Sequence, residues 1–280
     1  MQVYRGLDIG TAKLSPADRA RVLHHLIDIC ELTESFDAAQ FARLAHSAVA
    51  EIQSRGHVPI LCGGTGLYFK AFLEGLDEMP SADAKLRAEL EAMPLEKLLE
   101  ELRERDPVIF GRIDKKNSRR VIRAVEVIRL TSKPISAQKS RWGERTREPL
   151  LVEDDGSPGV SPHQIKFYCF SRHADDLRRR IEARVDEMFQ RGLVDETREL
   201  LKRGLEQNQT AMQAIGYRQV VEHLRGERGL AETIELVKTR TRQFAKRQLT
   251  WFRAQKGMDW IELKPGETLE DYVRRVHEMV

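Results

Sequence analysis

The stretch Val58-Pro-Ile-Leu-Cys-Gly-Gly-Thr-Gly-Leu-Tyr68 constrains the fold more than any other part of the chain. Val58 to Cys62 is a short apolar run that reads as a buried parallel strand, and a helix resumes through Leu67, Tyr68, Phe69, Phe72 and Leu73. Between them, Gly63-Gly64-Thr65-Gly66 lets the backbone turn sharply and bring N–H groups close to an anion. The positive end of the following helix points to the same place, and the Thr65 hydroxyl can hydrogen-bond a phosphate or a base. The plain alternative is a tight strand-to-helix turn that binds nothing.

The preceding segment has the matching organisation. Phe41, Leu44, Ala45, Ala48, Val49 and Ile52 recur at helical spacing, Asp37 is placed to cap that helix, and Gly56 to end it. His24-His25-Leu-Ile-Asp-Ile29 reads as a further short strand entering a loop. The two histidines and Asp28 favour a hydrogen-bonding role over a metal site, because neighbours on a strand point to opposite faces. Strand, helix, strand, glycine turn and helix together predict a doubly wound α/β sheet, with ligands at the carboxyl ends of its strands. Ile165 to Phe170 reads as a strand returning to that sheet, and Trp260–Leu263 as a last short one.

Composition shifts between about Asp77 and Trp142, where helical patterns dominate and no strand is evident. This makes residues 77–150 a helical insertion into an α/β core formed by residues 1–76 and 151–280. Net charge is only +3, but its distribution is uneven. Residues 74–106 carry eleven acidic against five basic side chains, whereas residues 112–147 carry twelve basic against three acidic. Residues 238–256 carry seven basic side chains and no acidic one. Such asymmetry points to a surface for a polyanion. Within the insertion, Asn117 to Leu130 is the clearest helix. Arg119, Arg120 and Arg123 share one face with Lys116, opposite Val121, Ala124, Val125 and Ile128. Three guanidiniums on one face suit phosphate contacts. The alternative is a solvated face partly paired with Glu126. The basic run continues through Lys133, Lys139, Arg141, Arg145 and Arg147, and Leu151 to Pro162 reads as a loop.

Arg178 to Phe189 is an amphipathic helix showing Arg180 and Arg184 on its polar side; Gln213-Ala-Ile-Gly-Tyr-Arg218 is a small-residue turn. Thr239 to Arg253 mixes Phe244, Leu249, Trp251 and Phe252 with five basic residues. The three cysteines, Cys30, Cys62 and Cys169, support neither a disulfide framework nor a zinc spacing, and Cys62 and Cys169 read as core residues. The sequence shows no signal peptide or membrane-length apolar run, so a cytoplasmic protein is expected.

Six segments resemble tRNA dimethylallyltransferases, the bacterial isopentenyltransferases. They are Met1-Gln-Val-Tyr-Arg-Gly-Leu-Asp-Ile-Gly-Thr-Ala-Lys13, His24-His-Leu-Ile-Asp28, Ile60-Leu-Cys-Gly-Gly-Thr-Gly-Leu-Tyr68, Arg119-Arg-Val-Ile-Arg-Ala-Val-Glu126, Ala214-Ile-Gly-Tyr-Arg218 and Lys246-Arg-Gln-Leu-Thr-Trp-Phe-Arg253. Any one alone is weak; six in the family's order and spacing are specific. The resemblance implies a P-loop NTPase-like parallel-sheet core, with the nucleotide-binding and ATP-binding character of that fold, and an α-helical insertion. The implied reaction moves a dimethylallyl group from dimethylallyl diphosphate to N6 of adenine 37 in the tRNA anticodon stem-loop, with Mg²⁺ as cofactor and no membrane partner. A monomer is expected. The target adenine must leave its stack to react, and the leaving diphosphate calls for cationic and N–H donors.

Carried over by position, the resemblance makes Gln2, Thr65, Arg87, the segment Arg119, Arg120, Val121, Ile122 and Arg123, and the segment Gln213, Ala214, Ile215, Gly216, Tyr217 and Arg218 tRNA contacts. Thr65 is also the candidate catalytic residue, and Arg180 and Arg184 are candidate diphosphate ligands. One departure stands out. The family's Gly-x-x-x-x-Gly-Lys-Ser/Thr loop, which grips the diphosphate and places Mg²⁺, has no counterpart, since no Gly-Lys pair occurs in the chain. The family's general-base Asp would fall two residues before Met1. The expectation is a core lacking its first strand and phosphate loop, about 35–40 residues, and inactive alone. A non-catalytic tRNA-binding form and an isopentenyltransferase acting on free adenine nucleotides are the alternatives.

Overall fold

The structure, a computed structural model, describes residues 1–75, 80, 83–137 and 166–279. The chain divides into two compact units, Met1–Glu74 with Pro149–Val280, and Gly75–Glu148. The sequence readings at Asp77, Lys139, Arg141, Trp142, Arg145, Arg147, Leu151–Pro162 and Ile165 lie outside the described residues.

The first unit opens in turns, held by an isolated parallel bridge between Tyr4 and Cys30. The expected strand at residues 24–29 is not formed. Leu26 and Asp28 take positive φ (61° and 55°), which breaks the alternation that a strand needs. Helix α1 (Pro16–Arg21) precedes α2 (Ala38–Ser54), where Asp37 and Gln40 form a reciprocal capping box. The predicted buried strand at residues 58–62 is also corrected. These residues join no ladder; Val58 and Ile60 are 84% and 85% exposed, and Cys62 is exposed rather than in the core. An apolar run reads the same whether or not a strand lies beside it, and among the described residues none does. Helix α3 (Gly66–Glu74) follows and packs on α2, with Phe41 stacked on Tyr68 and His46 on Phe72, both with ring centroids 4.4 Å apart.

The regular elements among the described residues of the second unit are helical: α4 (Ala84–Glu91), α5 (Leu95–Arg105), α6 (Pro107–Arg112) and α7 (Ser118–Thr131). Its core gathers Leu90, Leu98, Leu102, Val121, Val125 and Ile128. Asn117 caps α7, its side chain accepting from Arg120 N. Asp106, fully buried, caps α6 and also accepts from the Ser136 backbone and hydroxyl, so no lone buried charge results. Arg129 grips Glu101 through two nitrogens at 3.0 and 2.6 Å.

The first unit resumes with β1 (Tyr168–Arg172), α8 (Ala174–Gln190), α9 (Leu193–Lys202), α10 (Tyr217–Leu224), α11 (Leu230–Arg253), β2 (Asp259–Leu263) and α12 (Leu269–Met279). Strands β1 and β2 pair in parallel, Tyr168 opposite Asp259 through Arg172 opposite Leu263, and the intervening helices provide the crossover. The architecture is therefore mixed α/β with a small parallel sheet and many helices. Cys169 is half-buried. The core forms around Tyr4, Leu7, Leu32 and Phe36 from the opening turns, packed on Leu193, Leu200, Leu205, Tyr217 and Val221. Burying a side chain of this size stabilises by about 1.5–3 kcal/mol, which fixes the opening segment against α9 and α10. Among the described residues no helix is long and apolar enough to cross a membrane.

Candidate functional sites in the two units

In the first unit, residues 2–13 and 24–30 form one polar cluster. The Gln2 amide donates to the Thr11 and Ala12 carbonyls at 3.1 and 3.4 Å, and Asp28 N donates to the Gln2 carbonyl at 3.1 Å. Lys13, whose side chain is 2% exposed, reaches Tyr4 O (2.9 Å), Asp8 (2.6 Å) and Asp28 (2.5 Å), while Arg19 reaches Asp28 at 2.7 Å. Burial opposes ionisation of Asp28, but the hydrogen bonds from Lys13 and Arg19 outweigh it and hold the carboxyl below its ordinary range. Ala12, Leu26 and Asp28 all have left-handed backbones. Strain of about 1–3 kcal/mol per residue is held by these surrounding bonds.

The back of this loop rests on a buried anchor. Ile9 N donates to both Glu196 oxygens at 3.1 and 2.9 Å. Gly10 N donates to Tyr217 Oη at 3.1 Å, and that hydroxyl donates to Glu196 at 2.6 Å. A Cβ on Gly10 would lie 2.5 Å from the Tyr217 ring, so the loop can sit here only with glycine. Burial first, then the Glu196 charge, pushes the Tyr217 phenol far above its ordinary range, so it stays a donor.

These bonds join the opening loop directly to the segment 213–218. Within that segment Gln213 and Arg218 are exposed and Ile215 is half-buried, while Ala214, Gly216 and Tyr217 are buried. The Gln213 amide donates to Gln209 O at 3.0 Å, and Arg218 pairs with Glu222 at 3.1 Å. Tyr217 is thus placed as a strut, not as a surface contact.

The glycine turn is organised by α11. Gln248 donates to Gly64 O at 2.9 Å. A Cβ on Gly64 would come within 2.1 Å of the Gln248 amide nitrogen, and one on Gly66 within 2.3 Å of the Trp251 ring. The close approach that these glycines permit in the structure is to the protein's own helix. Thr65 is exposed at the start of α3. Beside Trp251 an open groove of about 490 Å³ is lined by Gln243, Lys246, Arg247 and Thr250.

Arg180 and Arg184 are exposed on α8. Asp176, beyond the carboxyl end of β1, accepts from Arg172 (3.1 Å), Arg179 (3.3 Å) and Arg180 (3.0 Å). The Arg180 hydrogen bond, above the other contributions, holds the Asp176 carboxyl below its ordinary range. Three guanidiniums on one carboxylate leave a cationic cluster at the strand end where α/β folds bind ligands.

In the second unit, Arg119 and Arg120 are exposed, whereas the Val121 and Ile122 side chains are buried in the core. Arg123 and Arg87 converge on Glu126, which is fully buried, at 2.7 and 2.8 Å. The structure therefore links the opening loop with Tyr217 of the segment 213–218, the glycines flanking Thr65 with α11, and Arg87 with Arg123 through Glu126. Sequence reasoning missed Glu196, Gln248 and Asp176 as organisers. Only Asp176 carried a local signal, its helical spacing three and four residues before Arg179 and Arg180.

The model of a known family, described as IPP transferase, matches residues 2–255. The chain belongs to the IPP transferase family. It is 44% identical over 277 residues to the tRNA dimethylallyltransferase of Halorhodospira halophila, covering 97% of this chain and 84% of that protein. The tRNA dimethylallyltransferase of Geobacillus thermodenitrificans is 39% identical, with all of this chain and 85% of the relative covered. Among solved structures, the tRNA isopentenylpyrophosphate transferase of Bacillus halodurans matches with a TM-score of 0.67 and 36% identity over 99% of this chain and 84% of that one. A eukaryotic dimethylallyltransferase acting on tRNA shares the fold, with a TM-score of 0.74 at 22% identity over all of this chain and 71% of its own length. As an IPP transferase, the protein is a prenyltransferase by family.

Proposed function

We propose that this protein transfers a dimethylallyl group from dimethylallyl diphosphate to N6 of adenine 37 in tRNA. The carrying observation is the 44% identity to a tRNA dimethylallyltransferase across 97% of the chain. In the reaction the bond between the allylic carbon and the diphosphate oxygen breaks, and the diphosphate leaves with the electron pair. N6 then forms the new bond to that carbon and gives up its proton to a carboxylate base, a role that the resemblance assigns to no residue of 1–280. Exposed Thr65, at the glycine turn braced by Gln248 and Trp251, hydrogen-bonds the displaced adenine. Gln2, Gln213 and Arg218 contact the RNA in the first unit, and Arg87, Arg119, Arg120 and Arg123 contact it in the second. The cluster of Arg172, Arg179 and Arg180 around Asp176, with Arg184 a turn further on, offers positive charge to the leaving diphosphate.

The described residues do not fit a protein-held Mg²⁺. Among them no three His, Cys, Asp or Glu side chains gather where an ion could sit, and Asp8 and Asp28 are both taken by Lys13. Mg²⁺ belongs to the proposal only as the counter-ion that the resemblance implies for the diphosphate, and the core is P-loop NTPase-like on the same ground. The 280 residues contain no Gly-Lys pair, so on this reading residues 1–280 alone do not transfer at an appreciable rate, while the RNA contacts named above still bind tRNA. The test joins residues 1–280 to the phosphate-loop segment of the Halorhodospira halophila relative and offers dimethylallyl diphosphate with either an anticodon stem-loop or AMP. The expected result is N6-dimethylallyladenosine in the RNA and none from AMP. Modification of AMP in preference to the RNA would overturn the tRNA assignment.

A further inference from the structure

The buried Glu126 carboxylate does more than its place in a hydrophobic helix face requires. It sits on α7 among Val125, Val127 and Ile128, with no exposed surface. One oxygen accepts from Asp83 N at 3.1 Å, the residue whose side chain caps α4. The other accepts from Arg87 at 2.8 Å, one turn into α4, and from Arg123 at 2.7 Å on α7 itself. Arg123 also donates to Pro80 O at 2.7 Å. Two guanidiniums share the Glu126 carboxylate, so the trio of Arg87, Glu126 and Arg123 carries one net positive charge, with the Asp83 carboxylate engaged separately as the cap of α4. The Arg87 and Arg123 side chains remain 35% and 32% exposed.

We propose that Glu126 is a positioning residue for RNA binding, aiming Arg87 and Arg123 as a fixed pair toward the phosphate backbone; this rests on the reading of those two arginines as tRNA contacts. The physical reason is entropic and geometric. A free arginine loses rotamer freedom when it is fixed, and two like charges held close repel each other. A buried carboxylate between them removes both obstacles before the RNA arrives, leaving the exposed part of each side chain to meet a phosphate oxygen. The same carboxylate also ties α4 to α7 through Asp83 N. A purely structural staple and a positioning residue therefore make the same contacts and must be separated by function.

Charge counting and positioning predict opposite signs. Glu126→Gln removes a negative charge from an RNA-facing cluster, so electrostatics alone would tighten RNA binding. Positioning predicts weaker binding, because two arginines lose their shared anchor. The experiment measures the affinity of residues 1–280 for an anticodon stem-loop RNA across a salt series, well below the unfolding temperature, with circular dichroism on each variant. Glu126→Gln is expected to weaken binding about tenfold, the scale of one charged hydrogen bond lost at the RNA, and to lower the salt slope by about 1–2. Glu126→Asp, which keeps the charge but shortens the reach, is expected to weaken it in the same direction and serves if the Gln variant unfolds. Adding Glu126→Gln to an Arg87→Gln/Arg123→Gln protein is expected to change nothing further. Unchanged or tighter binding by folded Glu126→Gln or Glu126→Asp, while Arg87→Gln/Arg123→Gln binds weakly, would overturn the positioning role. Wild-type binding by Arg87→Gln/Arg123→Gln would instead overturn the contact reading on which it rests.

Discussion

Gly66 and Gly64 carry different constraints although both face α11. A methyl on Gly66 meets the rigid Trp251 ring, whereas one on Gly64 meets the end of the flexible Gln248 side chain. Gly66→Ala should therefore destabilise by about 1–3 kcal/mol and Gly64→Ala by less, as read by urea unfolding; equal costs would show that α11 does not fix the turn. Tyr217→Phe removes the hydroxyl that both accepts from Gly10 N and donates to Glu196. It should cost about 1–3 kcal/mol with no overpacking, since only an oxygen is lost. A change within experimental error would contradict the strut. At this scale the sequence identifies the segments that matter but not the work each residue does. Tyr217 reads as part of a small-residue turn and a tRNA contact because nothing local reveals that Glu196, about twenty residues earlier, accepts from its hydroxyl. Gly64 and Gly66 read as room for a phosphate because close approach requires glycine whatever approaches.

Helix α7 is legible in the sequence because apolar positions at helical spacing agree with basic residues on the other face; the Asn117 cap emerges only in the structure. The segment 58–62 reads as a strand from its apolar run alone, but strand character depends on a neighbour that local sequence does not report, and its valine and isoleucine lie exposed instead. The basic face of α7 makes a clear prediction. Replacing Arg119, Arg120 and Arg123 with Gln should weaken tRNA binding and reduce its dependence on salt, because each phosphate contact releases counterions. A triple variant with the wild-type salt slope would make this face merely solvated. Val121 and Ile122, in the core, should instead affect stability when truncated to Ala, by about 2–5 kcal/mol for Ile122.

At the scale of the molecule, ion pairs set the response to acid. Asp28, Glu101 and Asp176 all have carboxyl groups held below their ordinary range: Asp28 against burial by Lys13 and Arg19, Glu101 chiefly by Arg129, and Asp176 chiefly by Arg180. A folded-state value below the unfolded one stabilises the fold above the unfolded pKa, about 3.9–4.3. That stabilisation is lost as pH falls through the folded value. The melting temperature should therefore hold between about pH 5 and 7 and drop below about pH 4; a rise in that acid range would contradict these assignments. The most direct measurement of the proposed reaction compares residues 1–280 with the same residues joined to the phosphate-loop segment of the Halorhodospira halophila relative. Each is given tRNA, dimethylallyl diphosphate and Mg²⁺, and N6-dimethylallyladenosine is quantified beside tRNA affinity. Both proteins should bind tRNA with similar affinity, and the joined protein should transfer at least about a hundredfold faster, since even one preorganised oxyanion donor is worth about 10²–10³ in rate. Comparable turnover by the two, or tRNA binding without transfer by the joined protein, would contradict the proposal.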